Sequence, residues 1–230
     1  MQATLALLEA AFDHTATFHR YCLLSGSDYP IKNNSVIHAE LASDKQFMRV
    51  DRRIGGAENN SHCRNVEYYW FSDAPESQAL SGTVRRDAYH GIALYHGAQW
   101  WALTHDCVKH ILHFVSANAD YRAFFVTTLC PDEIFFHSIV KHSPFASRIT
   151  HDFETTSDRD RFRLSNEHGC HYIDWNARGE DKLPKVLDLA DFDSLRSANA
   201  LFARKFAEPR SAALLAKLED HRAGMYAGVK

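Results

Sequence analysis

The chain has 230 residues, 45% of them hydrophobic, and a formal net charge of −3. That length is enough for one large domain with a substantial core, and no apolar run approaches the ~20 residues of a membrane-spanning helix. The mild acidity excludes a general nucleic-acid or membrane-surface binder, which would carry a basic excess.

Residues 2–14 pattern as an amphipathic helix, with Leu5, Leu7, Leu8 and Phe12 set among Glu9, Asp13 and His14. The acids rule out a signal peptide. His19 to Leu24 is predicted as a short buried strand ending at the turn Ser25-Gly-Ser-Asp28, where Asp suits the position before Tyr29-Pro30. Ser35 to Ala42 is predicted as a helix with Ser35 as its N-cap, followed by a short strand from Phe47 to Val50. Residues 52–90 are rich in Gly, Asn, Ser and Arg and have no sustained period. They pattern as a long irregular insertion with short strands near Val66 to Phe71, a form typical of substrate-binding loops. Ala98 to Leu103 is predicted as a strand carrying Trp100 and Trp101 on opposite faces, one for the core and one for a cleft. Thr104 is the predicted N-cap of a helix reaching Val115.

The most informative stretch runs from Thr128 to His142. Pro131 suits the first helical position, where its missing N–H has no partner to lose. Asp132 and Glu133 follow in the first turn, where free N–H groups favour negative charge. Ile134, Phe135, Ile139 and Val140 give a face to bury. A carboxylate fixed at such a position is either a helix cap or a general base, and the segment by itself does not choose. Further on, Arg148 to Phe153 and Tyr172-Ile-Asp-Trp175 precede helices predicted at Phe192 to Asn199 and Ser211 to Ala223. No repeat, low-complexity tract or linker appears, which gives an α/β chain of one domain with short strands.

Five cysteines leave one unpaired under any disulfide scheme, and none forms a C-x-x-C pair. A reducing compartment is the simpler reading, with Cys22 and Cys130 packing as small hydrophobes beside apolar segments. Among fifteen histidines, His105, His110 and His113 fit a helix surface, with Cys107 beside them, and Glu167, His168, Cys170 and His171 fit a polar loop. Neither group has a paired zinc-ligand motif. Basic residues cluster at Arg52-Arg53, Arg85-Arg86, Arg159 to Arg163 and Arg204-Lys205, which is solvated surface unless a site claims them.

Five segments in order carry a resemblance: Tyr21-Cys-Leu-Leu-Ser-Gly-Ser-Asp-Tyr-Pro-Ile-Lys32, Gly97-Ala-Gln-Trp-Trp-Ala-Leu-Thr104, the acidic segment, Tyr172-Ile-Asp-Trp175 and Leu201-Phe-Ala-Arg-Lys-Phe206. Together they resemble the core-2/I-branching enzymes, inverting β-glycosyltransferases that include β-1,6-N-acetylglucosaminyltransferases and peptide O-xylosyltransferases. The resemblance runs from the first residue to about Phe206. It implies a glycosyltransferase-A fold, a twisted mixed sheet flanked by helices, and transfer of GlcNAc or xylose from a UDP-sugar to a glycan or peptide hydroxyl, in β-linkage and without a metal or other cofactor. It implies Glu133 as base, and Lys205 with Arg204 at the donor diphosphate. A second basic residue normally shares that work. His171 stands where many relatives have Arg, leaving Lys185 and Lys182 as substitutes. Glu67, Tyr172, Trp175 and Asp28 are implied on the acceptor side. Asp28 stands alone where metal-dependent relatives on this fold place acidic ligands.

Family members carry further strands and helices before the helix that Met1 to Glu9 matches, so a partial, N-terminally incomplete domain over residues 1–230 is expected, with weak UDP-sugar binding. Eukaryotic members have an N-terminal Golgi anchor. With no signal peptide or spanning segment here, a cytoplasmic location, free or peripheral to a membrane, is expected. Two other classes stay open, a carbohydrate-binding remnant without turnover and a histidine-based metal hydrolase.

Overall fold

A computed structural model describes residues 1–55, 62–71, 75–157, 160, 164–175 and 183–227. Lys182 and the Arg159, Arg161 and Arg163 side chains lie outside them. Helix α1 (Gln2–Phe12) buries Thr4, Leu5 and Leu8. The first sheet is centred on β3 (Gln46–Arg53), the longest strand. Along one edge of β3 lie β4 (Tyr95–Gly97) and β5 (Ala102–Thr104), both antiparallel, and β1 (Arg20–Cys22) continues the sheet beyond β5. On the other edge β6 (Ile149–Asp152) runs parallel to β3. A second sheet has the order β2 (Tyr29–Pro30), β9 (Phe202–Arg204), β8 (His171–Ile173) and β7 (Glu167–His168), with β8 and β9 parallel. Both sheets are mixed and flanked by helices, as an α/β reading requires.

Met48 and Val50 of β3 are fully buried in the larger core, against helices α4 (His105–Ala117), α5 (Ala119–Phe124) and α6 (Phe135–Lys141). Thr104 caps α4 as expected, its hydroxyl accepting from the Cys107 N–H. The buried residues Cys107, Val108, Ile111 and Val115 form one stripe at helical spacing. A smaller core joins the second sheet to α7 (Phe192–Ser197) and α8 (Ala212–Ala227) through Leu187, Leu195, Leu214 and Leu218. Phe47, Ala102, Cys170, Leu201 and Phe202 fill the space between the sheets.

Four local expectations are corrected. The N-cap of α2 (Asn34–Leu41) is Asn33, whose extended backbone aims its side-chain oxygen at the Val36 N–H at 2.8 Å, and Ser35 donates to that same oxygen. Where short strands were expected near Val66, a helical turn, α3 (Cys63–Glu67), forms because Cys63 and Val66 bury together at i, i+3. Residues 98–101 form a bend between β4 and β5. The polar loop expected around His168 and His171 is a buried hairpin of β7 and β8.

The five cysteines are free thiols: Cys63, Cys107 and Cys170 are buried, whereas Cys130 is exposed, on a backbone with φ of 47°. Among the described residues no helix is long and apolar enough to cross a membrane, and no group of three or more His, Cys, Asp or Glu side chains is placed to hold a metal ion.

Candidate active site

A cleft of about 500 Å³ opens between the two sheets, within the size range of small-molecule sites. One wall comes from β3, whose alternation turns Met48 and Val50 to the core and Arg49 and Asp51 to the cleft. His96 of β4 stands beside them. Close approach of β4 depends on Gly97, since a Cβ there would lie 2.0 Å from the Arg49 carbonyl oxygen and 2.5 Å from the His137 ring.

Glu133 comes in from a separate turn. Pro131–Glu133 is one turn of 3-10 helix following Cys130 in the left-handed conformation. The Glu133 N–H donates to the Cys130 carbonyl at 3.1 Å. Ile134, at φ −129° and ψ −45°, then breaks helical geometry before α6 begins. The sequence suggests one continuous helix here. The structure divides it at Ile134, and α6 then runs buried on all sides from Phe135 to Val140.

Charge alternates along this wall. Arg49 Nε donates to Asp51 Oδ1 at 2.6 Å. Asp51 Oδ2 lies 3.3 Å from His96 Nδ1, an ion-pair distance without hydrogen-bond alignment. His96 Nε2 lies 3.4 Å from Glu133 Oε2. Burial disfavours charge on Asp51, but the neighbouring His96 and Arg49 outweigh it and hold the carboxyl well below the usual carboxylate range. Burial also opposes the His96 imidazolium, but Asp51 and Glu133 raise its pKa above the ordinary histidine value. His62 stacks on the His96 ring with centroids 3.7 Å apart, and burial together with the His96 charge pushes its pKa down.

Arg204, Trp100 and Trp175 make up another wall of the cleft. The Arg204 guanidinium sits 3.9 Å over the Trp100 ring, a cation–π contact. Its Nε is 3.5 Å from Asp28 Oδ1. Asp28 lies behind this wall, accepting from the Ser25 N–H at 2.7 Å and facing His171 Nε2 at 3.5 Å. Burial works against its ionised form, and the His171 and Ser25 contacts bring the net shift below the ordinary value.

Two buried histidines carry a pH dependence. Burial pushes His137 down to about 4, and burial with the Arg49 charge pushes His168 down to about 3. His137 Nε2 donates to the Ala98 carbonyl at 2.9 Å, which fixes the neutral tautomer. In the unfolded chain both titrate near ~6.5. Below that pH the unfolded state binds protons that the folded state refuses, so stability present above ~6.5 is lost as pH falls towards those lower values. His96 acts oppositely, but its contribution is complete below ~6.5. The unfolding free energy should therefore drop between about pH 6 and about pH 4.5 by roughly 1 kcal/mol per pH unit for each histidine, read as a falling denaturant midpoint. An unchanged midpoint would mean the two rings are not held neutral.

The family is decided by comparison with known proteins: the model of the Core-2/I-branching enzymes matches residues 1–196. The chain belongs to that family. It is 26% identical to mouse (Mus musculus) xylosyltransferase 2 over 222 residues, which is 91% of this chain and 24% of that protein. Similarity to human (Homo sapiens) xylosyltransferase 2 is 27% over 217 residues, covering 88% of this chain and 23% of that protein. With rat (Rattus norvegicus) xylosyltransferase 1 it is 25% over 215 residues, covering 88% and 24%. The chain thus spans about a quarter of the length of these relatives.

Within this Core-2/I-branching chain, Glu133, Arg204 and Trp175 line one cleft, with Trp175 48% exposed and Asp28 beneath. The other residues singled out from the sequence lie elsewhere. Lys205 is exposed just past the end of β9 and is not among the residues lining the cleft. Lys185 is tied to Asp191 at 2.6 Å. Tyr172 is buried in the smaller core and bonded to Asn166. Glu67 pairs with Arg85 at 3.1 Å on a separate surface. Of the two tryptophans, Trp101 is core and Trp100 lines the cleft, although both lie in the bend between β4 and β5 and not in the expected strand. Arg49, Asp51 and His96 were not singled out. The Arg-x-Asp spacing on a strand was the available signal for the first two, and His96 had none beyond its neighbour Gly97.

Proposed function

We propose that this chain carries the catalytic centre of an inverting, metal-independent glycosyltransferase of the glycosyltransferase-A type. It moves a sugar from a UDP-sugar to a hydroxyl of a glycan or peptide, in β-linkage. The observation that carries this reading is that Glu133 and Arg204 line one cleft with the exposed Trp175. Inversion needs a base on the acceptor side and positive charge on the leaving-group side, and these two residues have those chemistries.

In the reaction Glu133 takes the proton of the acceptor hydroxyl as its oxygen attacks the anomeric carbon, and the bond to the diphosphate breaks. Arg204 meets the charge that develops on the diphosphate, and Lys205, next along the chain, adds charge from the exposed side. Trp175 offers an amphipathic ring on which a sugar face packs. Metal independence is supported by the pairing of Asp28 with Ser25, His171 and Arg204, which leaves its carboxylate engaged by protein groups. The similarity to proteins named xylosyltransferases favours xylose over GlcNAc as the donor sugar.

The test is UDP release from UDP-xylose and UDP-GlcNAc in the presence of serine-containing peptides and glycan acceptors. Release that depends on the acceptor and continues in excess chelator is expected. Loss on chelation with recovery on adding manganese would restore a metal role to Asp28. No release with any pair would count against turnover by this chain.

A further inference from the structure

The transfer reaction requires that the base be ionised and that one carboxylate oxygen face the acceptor. Nothing in the 3-10 turn itself fixes that orientation, because Glu133 is held there by its backbone only. Its side chain is about one-third exposed and, among the described residues, meets one cationic group, the imidazole of His96 at Oε2. We propose that His96, backed by Asp51, is the positioning residue for the base: the imidazole clamps Oε2 and leaves Oε1 to the acceptor hydroxyl. This rests on the reading of Glu133 given above.

The geometry supports a clamp more than a passive neighbour. His96 is anchored from the far side by Asp51, which Arg49 in turn holds at 2.6 Å. Arg49 is itself fixed by the Ser165 carbonyl at 2.8 Å and by its cation–π contact with Phe153 at 4.5 Å. The His96 ring cannot rotate freely, since His62 stacks on one face and Gly97 binds its backbone against β3. The chain of contacts therefore runs from β3 to the partly exposed carboxylate, which is the order a positioning device needs.

The charge of the clamp follows from the groups around it. Asp51 and Arg49 face His96 from β3, Glu133 from the 3-10 turn, His62 from the start of α3 and His137 from α6. Two carboxylates flank the ring directly and favour the imidazolium, while His62 and His137 are disposed to remain neutral. Both ring nitrogens are then donors, so Glu133 is met by an N–H and a positive charge together. As pH rises and the ring loses its proton, the clamp weakens.

The experiment compares His96→Gln, Asp51→Asn and Glu133→Gln with the parent chain by two readouts. Proton NMR of the whole chain follows the imidazole resonances against pH, the His96 signal being the one missing from H96Q. Its midpoint should lie above the ordinary histidine value, and D51N and E133Q should each lower it. In transfer assays H96Q should lose up to about 10²-fold in kcat, as misplaced catalytic groups do, with the donor KM little changed. The alkaline decline of kcat should disappear in H96Q and move to lower pH in D51N. A kcat and pH profile in H96Q matching the parent, with E133Q inactive, would overturn the positioning role and leave the base assignment standing. Activity retained in E133Q would overturn the base assignment instead. A His96 midpoint indifferent to both carboxylate substitutions would sink the clamp whatever the turnover.

Discussion

Glu133→Gln should reduce transfer by about 10²- to 10⁴-fold, the range that general base catalysis contributes. The substitution is nearly isosteric, and the side chain is not part of either core. Among the described residues its polar side-chain contact is His96 Nε2 at 3.4 Å, and an amide oxygen can still accept there. Folding and donor affinity should therefore change little, so the loss should appear in kcat. Single-turnover transfer with saturating donor, beside thermal melts of both proteins, measures this. Equal rates in parent and variant would move the base to another group on the cleft wall, and a large fall in melting temperature would mean the carboxylate was structural.

Arg204→Gln should cost about 10²- to 10³-fold in kcat, as removal of one electrostatic stabiliser of a developing anion does. The guanidinium is half-buried, stacked on Trp100 and backed by Asp28. Burial lowers its pKa from the ordinary value, and Asp28 opposes that shift. It remains cationic, because arginine starts so high. Arg204→Lys should recover only part of the loss, since an ammonium lacks the planar fork that meets two phosphate oxygens and stacks on an indole. Lys205→Gln is the informative companion. An exposed lysine that does not line the cleft should cost less than Arg204. The reverse order, with K205Q crippled and R204Q active, would assign the diphosphate to Lys205 and make Arg204 a structural partner of Asp28.

The parts of the site legible in the sequence were those carried by short, continuous segments. Pro131-Asp-Glu133 marked a carboxylate at a helical turn, which the structure puts in the cleft lining, and of the paired Trp100-Trp101 one ring is core and one lines the cleft. The Thr104 cap was legible because the threonine hydroxyl reaches an N–H only three residues away. Arg49, Asp51 and His96 were not legible as site residues, since 45 and 37 positions separate His96 from Asp51 and Glu133 and no local period links them.

What the sequence determined by itself is the family, through five ordered segments, together with the helices whose apolar stripes and caps lie within one stretch of chain. Local structure of this kind depends on contacts three or four residues apart, so the information is present in any window that contains them. What only the tertiary structure decided is which neighbour of an adjacent pair serves the cleft and which charges meet. Arg204 and Lys205 are indistinguishable as sequence, but Arg204 ends β9, where its pairing with Ile173 of β8 sets it in the cleft lining, whereas Lys205 lies past the strand and is exposed. The His96 contacts likewise exist because β4 pairs with β3 at Arg52 and the 3-10 turn packs beside them. Those are register and packing choices, fixed by the burial of whole elements and not by any residue in the site.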